Sequence, residues 1–248
     1  AIGLPVGYAF GNWWYTRSIR GKILPLLCES IGGVTYSGNK RRGFDIGSFR
    51  RLALLDPRLT LVRLEDRFSG TYRNTRFDMM EAVYQPGRRV KEEGNRFLRG
   101  VLIRLSVPMP FKGTTIIIAR EDKPTLPRIS RLIGRRRLRP VRFDDPVFEL
   151  QYQTRSDDAE EAHRLVAPSF RDAMLAMTTE RQGEMVRAAF HDDAFLLSVP
   201  VWQPLFEIAS LMTPTRKLEE RTLKAADEIT VVHRVIDQLH GAGPQRLI

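Results

Sequence analysis

Cysteine is almost absent from this chain. Of 248 residues only Cys28 carries a thiol, so no intramolecular disulfide can close and no C-x-x-C pair is present to hold zinc, which points to a reducing compartment. Long apolar runs are missing too: nothing approaches the roughly 20 consecutive apolar residues that cross a bilayer, so the chain as it stands does not span a membrane, although it is free to lie on one. Histidine is scarce, and His163, His191, His233 and His240 form no H-E-x-x-H motif; Glu160-Glu161-Ala162-His163 lacks the i, i+4 partner that would close a metal site on a helix. Neither a G-x-x-x-x-G-K-[ST] loop nor a G-x-S-x-G elbow occurs, so Gly32-Gly33, Ser37-Gly38 and Ser69-Gly70 read as turns. The acidic pairs Asp157-Asp158 and Asp192-Asp193 read as helix-start and turn chemistry, because sequence neighbours point apart. No catalytic, cofactor-binding or metal-ligating residue emerges, and the balance leans away from an enzyme.

What the chain has in plenty is positive charge, unevenly placed. Residues 1–140 hold 28 Lys+Arg against 11 Asp+Glu, a balance of +17, and residues 141–248 hold 12 against 18, a balance of −6, which together make the net +11. Arginine supplies 33 of the 40 cations, and guanidinium forks suit phosphate oxygens. The cations gather at Arg17, Arg20, Lys22, Lys40, Arg41 and Arg42, and again at Arg135, Arg136, Arg137 and Arg139. No aromatic accompanies the second run and no helix-turn-helix pattern frames either, so nucleic acid is an unlikely partner. An anionic membrane surface asks only for charge.

The amino-terminal segment adds to the membrane reading. Ala1–Phe10 is uncharged and mostly apolar, Trp13, Trp14 and Tyr15 follow, and Arg17, Arg20 and Lys22 come next. Apolar, then aromatic, then cationic is the order at the inward end of a transmembrane helix, so an upstream anchor is expected. Two plainer readings stand beside it: an extended edge segment packed on the core, since Gly3, Pro5 and Gly7 alternate with apolar residues, and an ordinary amino terminus left after loss of an initiator Met.

From Asn12 to Ile31 apolar residues recur at helical spacing, predicting an amphipathic helix bent near Pro25. A short helix is expected near Ser48–Leu55, ended by Asp56-Pro57. Strands are expected over Leu59–Val62, Tyr72–Tyr84, Phe97–Val107 and Thr114–Ala119, and the Arg/Pro-rich stretch Glu121–Pro140 reads as a loop. Beyond it the pattern predicts a strand through Val147–Thr154, a helix started by Ser156-Asp157-Asp158, a helix over Pro168–Thr178, and a hairpin turning at His191-Asp192-Asp193. The last element is a helix over Thr215–His240 whose stripe Leu218, Ala225, Ile229, Val232, Ile236 and Leu239 should bury in the chain's own core rather than on a second chain. The fold class is therefore α+β, with antiparallel sheet, an amphipathic amino-terminal helix and a long carboxyl-terminal one. Three regions follow: a membrane-proximal segment and helix over 1–33, a basic β-rich region over 34–140, and an acidic α+β region over 141–248, the last two open to being one domain.

Three segments together carry a family resemblance: Phe68-Ser69-Gly70-Thr71-Tyr72-Arg73 running to Glu81; Phe97-Leu98-Arg99-Gly100-Val101 running through Phe111-Lys112-Gly113-Thr114; and Phe148–Leu175. Over residues 10–240 the chain resembles the bacterial domain of unknown function three-one-three-seven. The resemblance implies a membrane-anchored protein with hydrophobic helices ahead of a cytoplasmic α+β domain, and it brings no catalytic residue with it. This chain lacks the full spans. The expectation is a membrane-associated interaction domain at the cytoplasmic face of the inner membrane, its basic half toward anionic lipid and its acidic half toward a protein partner or larger membrane complex. The alternative is a hydrolase or transferase acting on a phosphate- or lipid-bearing substrate, and nucleic-acid binding comes third.

Overall fold

Period-two alternation and two-residue turns assemble nine strands into one antiparallel sheet. The computed structural model describes residues 18–39, 42–55, 59–86, 98–120, 138–180, 185–201, 205–206 and 215–241. In chain order the elements are α1 (residues 18–31), β1 (Val34–Tyr36), α2 (Ile46–Arg51), β2 (Leu59–Tyr72), β3 (Thr75–Pro86), β4 (Leu98–Ser106), β5 (Thr115–Ala119), β6 (Arg139–Val141), α3 (Pro146–Gln151), β7 (Tyr152–Ser156), α4 (Ala159–Leu165), α5 (Pro168–Glu180), β8 (Arg187–His191), β9 (Ala194–Val201) and α6 (Thr215–Gly241). The strand order is β1-β2-β3-β4-β9-β8-β5-β7-β6. Strands from both sides of Pro140 thus alternate in one sheet, and Pro140 itself lies in β6.

The fold is α+β, as the sequence implies. β2 and β3 form a long hairpin whose turn, Arg73-Asn74, has φ of 47° and 63°. Positive φ at both central residues is the turn that matches strand twist, and it falls inside the stretch expected to be one strand from Tyr72. The expected Asp192-Asp193 turn joins β8 to β9. The expected strand over Val147–Thr154 is instead α3 followed by β7. Asp145 caps the helix by accepting from the Phe148 N–H at 3.1 Å, and Pro146 opens it, so local capping overrides the β-branched and aromatic composition. Asp158 caps α4 in the same way, accepting from the Glu161 N–H.

Ser69-Gly70, expected as a turn, lies within β2. Gly70 pairs with Val34, and a Cβ there would overlap the Gly33 carbonyl oxygen, so the glycine permits β1 to approach.

The two faces of the sheet carry different cover. On one face lie Phe68, Phe77, Met79, Ile103, Leu105, Ile117, Phe190 and Leu197, packed by α1, α3, α4, α5 and α6. On the other lie Leu64, Met80, Ala82, Leu102, Ile116, Ile118 and Leu196, packed by Phe44, Phe49, Leu52 and Leu54 of the segment around α2. α1 runs through Pro25 and buries Leu24 and Cys28, while Leu26 is exposed. The stripe Ala225, Ile229, Val232, Ile236 and Leu239 of α6 is buried in the chain's own core.

Replacing Ile236 by Asp places an unpaired charge in that core, so we expect a loss of several kcal/mol, and Leu239→Ala should cost about 2–5 kcal/mol. Leu223→Asp, at a position 66% exposed on the same helix, should change little. Urea titrations at two protein concentrations check this: midpoints that fall only on dilution would make the stripe an interface between chains.

Candidate functional site

Six arginines gather on the sheet face that α2 covers. Arg67, Arg76 and Arg104 stand on that side of β2, β3 and β4, Arg50 and Arg51 end α2, and Arg42 precedes it. Arg67 grips Asp78 with both Nε and Nη2, at 2.8 and 2.6 Å, and donates through Nη1 to the Arg42 carbonyl. Asp78 lies directly across from Arg104 in the β3–β4 register, and Arg104 reaches Asp193 at 2.9 Å. Asp45 caps α2 through the Ser48 N–H and hydroxyl. Burial raises its pKa most, but the Ser48 hydrogen bonds and the nearby Arg51 and Arg104 together bring it below the usual carboxylate range. Among the described residues three aspartates therefore answer six guanidinium groups, and Arg42, Arg50 and Arg76 are exposed. Adjacency across the sheet, invisible to sequence spacing, is what joins these arginines; the pairing of the β2–β3 hairpin was the signal that could have found Arg67 and Arg76.

The expected site residues fall elsewhere. Trp13, Trp14, Tyr15 and Arg17, and the run Arg135, Arg136 and Arg137, lie outside the described residues. Lys22 is exposed on α1 and Arg139 is exposed on β6. Arg20 points inward and donates to Asp66 at 2.8 Å, with its side chain 17% exposed.

That contact opens onto a buried polar cluster. β2 carries a bulge at Asp66, where the register shifts between Glu65 and Arg67 and φ is 44°. The extra residue resets the alternation, so Glu65 and Phe68 share the helical face although an unbroken strand would oppose them. Asp66 accepts from the Tyr36 hydroxyl at 2.6 Å as well as from Arg20. Beside it Arg99 donates through Nη1 to Glu81 at 2.7 Å and to Glu65 at 3.3 Å, and Arg63 donates to Glu65. Glu81, fully buried, also accepts from the Leu205 N–H at 3.2 Å. Burial raises the Glu81 carboxyl to about 7 against the pull of Arg99, and burial likewise raises Asp66 against Arg20 and Tyr36.

Glu161 and Asp157 serve the fold. Glu161 accepts from the Lys112 and Gly113 N–H groups, and Asp157 from the Thr114 N–H, so the two carboxylates hold the turn before β5. His191 meets the Thr114 hydroxyl at 2.8 Å, and His233 stacks on Tyr72. Among the described residues no group of three or more His, Cys, Asp or Glu is placed to hold a metal ion.

Residues 96–240 match a family model described as "Protein of unknown function (DUF3137)". The match starts just before β4 and runs to the end of α6, shorter than the 10–240 read from the sequence. No curated protein matches the chain. Among solved structures the chain is similar to the mycobacterial trehalose monomycolate transport factor A, TtfA, at 13% identity and a TM-score of 0.38, with 87% of this chain and 95% of that one covered.

A carboxyl whose pKa is raised in the folded state binds its proton more tightly there than in the unfolded chain. Its contribution to stability is complete below the ordinary carboxylate range and is lost as pH climbs to about 7. Stability should therefore fall between roughly pH 4.5 and 7 and level off above. Glu81→Gln should shallow that slope, leaving the share that comes from Asp66. Urea midpoints across the range test it, and equal slopes in the two proteins would remove Glu81 as the source.

Proposed function

The chain belongs to the DUF3137 family, whose description assigns no function, and from the arrangement of its surface charge we propose a membrane-associated interaction domain that presents an arginine-rich sheet face to anionic lipid. The observation that carries this reading is the collection of Arg42, Arg50, Arg51, Arg67, Arg76 and Arg104 on one face against three aspartates. Guanidinium groups recognise phosphate through paired hydrogen bonds, and a cluster of them suits anionic headgroups. Among the described residues no helix is long and apolar enough to cross a membrane. The reading assigns attachment to this face and to the aromatic and cationic residues Trp13 to Lys22, at the cytoplasmic side of the inner membrane.

The helical face suits a protein partner. On α6 the exposed Leu223 stands among exposed Glu219, Glu220 and Asp227, an apolar point in an acidic rim. A reactive role has one observation in its favour, the convergence of Arg99 with Glu81, a carboxyl of raised pKa. Against it stands burial: Glu81 is fully covered and its bonded oxygen already serves Arg99 and the Leu205 N–H.

Vesicle sedimentation tests the lipid reading. Binding should require anionic lipid and weaken as salt shortens the screening length from about 10 Å at 0.1 M. Replacing Arg42, Arg50 and Arg76 by Ala should lower partitioning about 100-fold, on the basis of about 1 kcal/mol per basic side chain, without shifting the thermal transition. Binding to neutral vesicles in high salt equal to that on anionic ones would count against the proposal.

A further inference from the structure

Between β9 and α6, two consecutive backbone N–H groups are gripped by carboxylates from different elements. The Leu205 N–H donates to Glu81 Oε1 of β3 at 3.2 Å, and the Phe206 N–H donates to Glu228 Oε2 of α6 at 2.9 Å. Phe206 is 1% exposed, lies against Phe68 with ring centroids 4.6 Å apart, and has φ of 57°. A bulky side chain in the left-handed region is strained, so packing and the two carboxylates hold these residues against their backbone preference. Leu205 and Phe206 thus form a strap, pinned to the sheet on one side and to α6 on the other.

The pin on the sheet side is incompletely answered. Glu81 is fully buried, and among the described residues its second oxygen has no hydrogen-bond partner. One guanidinium nitrogen, Arg99 Nη1 of β4, serves both Glu81 at 2.7 Å and Glu65 of β2 at 3.3 Å. Arg63 also donates to Glu65, while Arg20 of α1 and the Tyr36 hydroxyl of β1 are committed to Asp66 of β2. The charges that act on Glu81 are therefore Arg99 and Arg20, each already bonded to another carboxylate, and the acidic Asp66. Glu228 of α6 stands one peptide unit further along the strap. Ionisation of Glu81 leaves a charged, unpartnered oxygen in the interior, and a proton there removes the charge. Water answers that oxygen once the strap lifts.

We propose that closure of the Leu205–Phe206 strap is coupled to a proton on Glu81: the strap stays down while the carboxyl is neutral and opens locally when it ionises, uncovering Phe68. The closed form binds the proton more tightly than the hydrated open form, since burial raises the Glu81 carboxyl to about 7 against the pull of Arg99. The balance therefore moves toward opening as pH climbs from the ordinary carboxylate range to about 7, and is level above it. The device concerns one segment of the helical face and does not depend on the arginine face contacting a membrane.

Amide hydrogen exchange of the whole chain, read residue by residue by NMR across pH and at low urea concentrations, tests the proposal. After correction for the intrinsic exchange rate, protection at Leu205 and Phe206 should fall about tenfold per pH unit between roughly pH 4.5 and 7 and level off above. It should be lower than at Met80 and Leu102 in the sheet and nearly independent of urea, the mark of a local opening rather than of global unfolding. Glu81→Gln should flatten the pH dependence, leaving the share that comes from Asp66. Phe206→Ala should lower protection at Leu205 at every pH with the slope intact, because it weakens the strap and keeps the titrating group. Protection at Leu205 and Phe206 that equals that of the sheet amides and falls with urea in step with them means that the pair moves only in global unfolding, and overturns the proposal. A pH slope missing from the unaltered chain, or kept in full by Glu81→Gln, overturns it as well.

Discussion

A sheet of nine strands has two apolar faces to keep from water, and this chain distributes cover between them unequally. Among the described residues five helices pack on the face of Phe68, Phe77 and Ile103, and the segment around the six-residue α2 packs on the face of Met80 and Leu102. Burial of large apolar side chains at about 1.5–3 kcal/mol each explains why both covers exist. The unequal cover explains the surface. A face roofed by one short segment leaves strand positions around it open, and these are filled by Arg67, Arg76 and Arg104 rather than by more apolar residues.

The helical face makes a different compromise. Its apolar layer is interrupted where Glu65, Asp66 and Glu81 meet Arg20, Arg63 and Arg99, at the start of α1 and beside Leu205. Such ion pairs are weak sources of net stability, since desolvation opposes their attraction, but removing one partner leaves a buried charge. The cluster therefore fixes geometry. It sets the first turn of α1 against the β2 bulge through Arg20 and Asp66, which is where the aromatic and cationic amino-terminal segment leads into the domain. Burial raises the pKa of Asp66, the carboxyl that accepts from Arg20 of α1.

Electrostatics then divides the exterior. The α2 face collects guanidinium groups, and the exposed ridge of α6 around Leu223 collects Glu219, Glu220 and Asp227. The acidic groups that looked most like chemistry in the sequence, Asp157-Asp158 with Glu161, are spent on helix caps and on the turn before β5.

The sequence by itself determined the elements whose causes are local. The α6 stripe, the Asp158 cap, the Asp192-Asp193 turn and the α+β class were all legible, because periodicity, capping and turn chemistry act over a few residues. The excess of arginine was legible too, as was the family resemblance. Where two local signals competed, composition misled: Val147–Thr154 reads as strand, yet Asp145 and Pro146 start a helix there. Only the tertiary structure decided what depends on residues far apart in the chain. It turned Arg20 inward to a bulge 46 residues away, placed Gly70 inside a strand against Gly33, and brought Arg42, Arg67, Asp78 and Arg104 into one row across three strands and a loop. Register is set by pairing partners and by a single extra residue at Asp66, and a one-residue shift reverses which side chains share a face. The location of the arginine face is therefore a property of the sheet, not of any segment that composes it.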